Sequence, residues 1–195
     1  VMRDLTLRRD VEVVSMSPGG VTINAGELIA WDRILQGNLA ADQQPRFDER
    51  LKVHGEPVFR LKQRIAAEDW TSAMTFARPL DDRIHIDGAD EFTLETKLLI
   101  SAALYRGHLE SGHAMAAIEP FAELTALQPQ LPESFFQQWP MVRISQSQRE
   151  TMLSEDIVPI WFDAAQARTG LQRLRKRWAI NAADTSPGRA VYLAS

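Results

Sequence analysis

The densest group of side chains able to do chemistry is Asp81, Asp82, His85, Asp87, Asp90 and Glu91. Carboxylates and an imidazole in one stretch could hold Ca²⁺ or Mg²⁺ through oxygen, or Zn²⁺ through nitrogen and oxygen together. Their spacing matches no calcium-loop pattern. Helix capping and a solvated loop account for the same residues, so no metal ligand is assigned.

His108 and His113 stand five residues apart, on either side of a turn, and lack the i, i+4 geometry of a helical zinc pair. Glu110 lies between them without completing a His-Glu-x-x-His arrangement. No nucleophile elbow, phosphate loop or dinucleotide-binding glycine pattern occurs, and Gly19-Gly20 reads as a turn. The chain has no cysteine, which removes disulfides, thiolate metal sites and thiol nucleophiles. No catalytic and no cofactor-binding residue is therefore assigned.

Arg168, Arg173, Arg175, Lys176 and Arg177 form the one notable basic run, in a chain of net charge −4 with 22 basic and 26 acidic residues. Leu171, Leu174 and Trp178 give that run a partial apolar face. It reads as an amphipathic helix whose cations suit the C-terminal half, and no nucleic-acid partner is expected. Among the five tryptophans, Trp70 reads as core and Trp31 as the end of a strand. Trp139 and Trp161 sit beside prolines, where partial exposure would permit ligand stacking.

The chain has 195 residues, 45% of them hydrophobic and 25% charged, which suits one or two globular domains with a sizeable core. No apolar run approaches the roughly 18–20 residues of a membrane span. The chain opens on Val1 and its last nine residues begin like a helix, so a trimmed fragment is expected, with a removed leader and more chain downstream both open. The compartment stays open between a bacterial cytoplasm and export after leader removal.

Val11, Val13 and Val14 precede Ser17-Pro18-Gly19-Gly20, and Val21-Thr22-Ile23 follows, which signals a β-hairpin. Leu28 to Trp31 supplies a third strand. Residues 1–36 thus form a small antiparallel β-unit, and the polar stretch Gln36 to Gln44 links it to a helical domain over 45–195. Helices are predicted from Pro45, ended by Gly55, and again from Pro57. A further one starts after the cap Asp69, carries Trp70, Ala73, Met74 and Ala77 inward, and is interrupted near Pro79. Asp87 or Asp90 caps the next helix, with an inward stripe of Leu94, Leu98, Ala102, Tyr105 and Leu109. His113 to Leu127 is its partner, with Ala117, Ile118, Phe121 and Leu124 inward. A short turn spans Ser134 to Trp139, and helices are expected at Gln148–Leu153, Asp163–Trp178 and from Pro187.

Gly112, Ala117, Ile118, Phe121 and Pro129 resemble the second half of a tetratricopeptide-type repeat. In that pattern glycine makes the inter-helix turn, a small residue lets two helices approach, an aromatic wedges between units, and proline ends the pair. The first helix departs from it, with Tyr105 where the family has glycine. Asp69, Trp70, Ala73 and Met74 resemble the same turn 44 residues earlier without the glycine, a spacing longer than the family's usual repeat. The order of a small β-module and such helices also resembles uncharacterised bacterial proteins, notably planctomycete ones, which imply no activity. The fold class expected is α+β, mostly α: a small N-terminal antiparallel β-unit followed by a TPR-like α-α hairpin stack. The resemblance implies a protein or peptide partner on the concave side, with Ala102 and Arg106 as the outward-facing first-helix positions. The function expected is a protein-protein interaction or scaffold module. The alternative is a non-catalytic part of an exported hydrolase.

Overall fold

A computed structural model describes residues 1–9, 11–24, 26–87 and 92–145, without the side chains of residues 85–87, 114 and 115. The expected helices at Gln148–Leu153, Asp163–Trp178 and from Pro187, together with Trp161 and the basic run from Arg168 to Arg177, lie outside the described residues. The chain is α+β and mostly helical, with a small sheet at its N-terminal end.

Strands β1 (Val13–Ser17), β2 (Gly20–Ile23) and β3 (Leu28–Ala30) form an antiparallel sheet in sequence order. Ser17 pairs with Gly20, which leaves Pro18 and Gly19 as the two-residue hairpin turn. The register slips between Val13 and Ser15, and this bulge lets Val13 and Met16 both lean toward the core while Val14 turns out. Trp31 does not end the third strand. It opens a 3₁₀ turn (Trp31–Arg33), where its indole is buried and Nε1 donates to the Ser17 carbonyl at 2.8 Å. A buried indole N–H must find an acceptor, and the hairpin supplies one.

The helices follow the punctuation in the sequence. Helix α1 (Gln44–His54) and helix α2 (Glu56–Ala66) meet at Gly55 and each carries a proline in its first turn. Asp69 accepts from the Ser72 amide at 3.2 Å and so caps α3 (Trp70–Asp87). The predicted break at Pro79 does not occur: α3 runs through it. An interior proline costs roughly 3 kcal/mol. Ala77 and Leu80 on either side are 0% and 2% exposed, so core packing holds the helix against that cost. Helix α5 (Ala114–Leu127) likewise runs through a buried Pro120.

Helix α4 (Leu94–Glu110) is capped by Thr93, whose hydroxyl accepts from the Thr96 amide at 3.3 Å. Neither Asp87 nor Asp90 takes that role. The stripe predicted for α4 is too narrow in its middle and wrong at its end, where Leu109 is exposed instead of inward. Every residue from Leu98 to Tyr105 is buried, and α2, α3, α5 and the 3₁₀ turn Pro140–Val142 all pack on the helix. A helix apolar all round belongs inside, and Leu99, Ile100 and Ala103 fill the sides that the stripe left polar. Gly107 lets α4 close on α3: a Cβ there would lie 2.6 Å from Met74 Cβ and 2.8 Å from the Trp70 carbonyl oxygen. Gly112, at φ +73°, makes the turn into α5.

After Pro129, in the 3₁₀ turn Gln128–Gln130, helix α6 (Glu133–Gln138) buries Phe135 and Phe136. The Gln128 amide then clamps the Ile144 backbone, accepting from its N–H at 3.0 Å and donating to its carbonyl at 3.4 Å. Two apolar clusters result. One runs from Val53 of α1 through α2 to α6 and on to Val142 and Ile144. The other holds Met2, Val21, Ile23, Ile29, Trp31 and Ile34 together with Phe47 of α1. The β-unit thus packs against the first helix through Phe47.

Candidate functional site

Ala102 and Arg106 lie one turn apart on α4, within or beside its buried run from Leu98 to Tyr105. Ala102 is 1% exposed, so it presents no surface and the outward placement expected of it is corrected. Tetratricopeptide analogy puts that face on a groove; here the turn at Pro140–Val142 packs on α4. Arg106 is half-buried and already engaged. Its guanidinium carbon stands 5.5 Å from the centre of the Trp70 ring, and Nη2 donates to the Met141 carbonyl at 3.2 Å. A cation held over an indole and a carbonyl in this way ties the start of α3 to the segment after α6.

The other groups singled out by chemistry form no cluster among the described residues. Asp81 and Asp82 lie on α3, while the side chains of His85 and Asp87 and the whole of Asp90 and Glu91 lie outside the described residues. Among the described residues no three His, Asp or Glu side chains gather in the manner of a metal site. His113 is exposed at the start of α5. His108 is half-buried at the end of α4, its Nδ1 shielded from water without a hydrogen-bond partner. Burial holds its imidazole below the ordinary histidine pKa, and the nearby Arg78 and His113 push the same way. On the same helix, burial raises the Tyr105 phenol, with Arg106 opposing. Trp139 is half-buried against the helical core.

Sequence reasoning overlooked the junction between the two clusters. His54, at the end of α1, is 2% exposed. Its ring lies 6.4 Å from that of Trp31, nearly stacked, and meets Phe92 edge-on at 4.7 Å. Its neighbours come from the turn after β3 and the approach to α4, separated in the chain by some 60 residues, and no local pattern announces them. Two polar ties reinforce the junction. Lys62 of α2 donates to Asp32 at 2.8 Å, and Arg3 pairs with Glu56 while lying over the Phe59 ring. Hydrogen bonds from Arg60, then Arg3, hold the Glu56 carboxyl below its usual range.

What remains open is apolar surface, and it is unevenly distributed. Leu5, Leu7, Val11, Val14, Leu28, Leu35 and Leu109 are the large hydrophobic side chains left exposed among the described residues, and all but the last belong to residues 1–36. Val14 and Leu28 are 64% and 56% exposed. Both stand away from the inward set Val13, Met16, Val21 and Ile29, on the outer side of the sheet. Arg8 grips Glu27 through two hydrogen bonds of 3.2 and 3.0 Å, which ties the stretch ahead of β1 to the residue before β3. Among the described residues β1 is an edge strand, next to β2 alone in the sheet. The arrangement offers apolar contact and an open strand edge, with no converging acid, base or nucleophile beside it among the described residues.

No family model, curated protein or solved structure matches the chain.

Proposed function

We propose that this protein is a protein-interaction or scaffold module that binds a protein or peptide partner through the outer side of its N-terminal β-unit. The observation that carries the reading is the crowding of exposed Leu5, Leu7, Val14, Leu28 and Leu35 onto a unit of 36 residues, while among the described residues of the helical part Leu109 alone is a large hydrophobic left out. Contiguous exposed apolar surface on a folded chain marks contact sites. An open strand edge adds backbone donors and acceptors that an extended peptide can use.

In this reading the helices are the rigid mount. Residues 94–129 keep the resemblance to a tetratricopeptide-type hairpin, supported by Gly112 at the turn, Ala117 at 0% exposure and Phe121 packed 5.5 Å from Tyr105. Arg106 and Ala102 then act inside the mount.

Selection of a displayed random-peptide library on the intact chain, followed by calorimetry, tests the proposal. Recovered binders should lose at least tenfold in affinity against a Leu7→Ser, Val14→Ser, Leu28→Ser variant whose melting temperature is unchanged. Arg106→Gln should leave the affinity as it was. If no peptide is recovered and a metal, sugar or nucleotide instead raises the melting temperature by several degrees, the module reading gives way to an enzymatic one.

A further inference from the structure

We draw no further inference here: the strongest candidate, the apolar patch of Leu5, Leu7, Val14 and Leu28 beside the open edge of β1, belongs to the site already described, and nothing in the structure shows what covers it.

Discussion

Helix α4 and the N-terminal β-unit handle apolar residues in opposite ways. On α4 the eight residues from Leu98 to Tyr105 are buried without interruption. On β1 and β3, Val14 and Leu28 face outward while their neighbours Val13 and Ile29 face in. The helix has packing partners around its circumference there, so each of these eight side chains is enclosed. A three-stranded sheet has two faces, and among the described residues one of them lies against α1 and the residues around Trp31. An apolar residue on its other face is left in water until something covers it. The same residue type thus stabilises the fold in one region and advertises a surface in the other.

The largest expected effect tests the buried side of this contrast. Leu99→Ala removes a fully buried side chain from the centre of α4 and should cost about 2–5 kcal/mol of unfolding free energy, read from the urea midpoint at constant slope. Gly107→Ala comes next. Helix propensity gains up to about 1 kcal/mol, but the added carbon would meet Met74 and the Trp70 backbone, and overpacking of that kind costs about 1–3 kcal/mol. A net loss of stability is expected, and a gain would mean that α3 and α4 sit farther apart than described. Thr93→Ala, at the cap of α4, should cost about 1 kcal/mol by the same measurement.

Acidification probes a smaller term. His108 has a folded-state pKa lowered by burial, so the unfolded chain binds its proton more readily. Its contribution to stability is complete above the ordinary value near 6.5 and is lost as pH falls below it toward the folded value. His108→Gln should flatten the pH dependence of the melting temperature in that window. Smallest of all should be Val14→Ser and Leu28→Ser, each within about 0.5 kcal/mol of the parent stability. A loss as large as that of Leu99→Ala would show these residues to be core and would end the contrast.

Local chemistry was legible in the chain wherever one residue carries it alone. Pro18-Gly19 marked the hairpin, Asp69 the cap of α3, Gly55 the break between α1 and α2, and Gly112 the turn into α5. Each acts through its own backbone limits or through bonds to residues a few positions away. Thr93 was missed for a related reason: Asp87 and Asp90 compete for the same role in the sequence, and only the position of the first helical turn decides among them. The persistence of α3 through Pro79 reverses a local preference, because Ala77 and Leu80 are held in the core.

Residue order by itself therefore determined the class of fold, the small sheet ahead of the helices, the hairpin turns and most helix starts, since these rest on dihedral preference and on hydrogen bonds that close within a few residues. Only the tertiary structure decided that α4 is enclosed, that Arg106 lies over Trp70, that His54 joins Trp31 to Phe92, and that Val14 and Leu28 stay in water. Burial is a property of what arrives from elsewhere in the chain. Apolar periodicity gives the direction of a side chain from its own axis, and it is silent about how many other elements come to meet it.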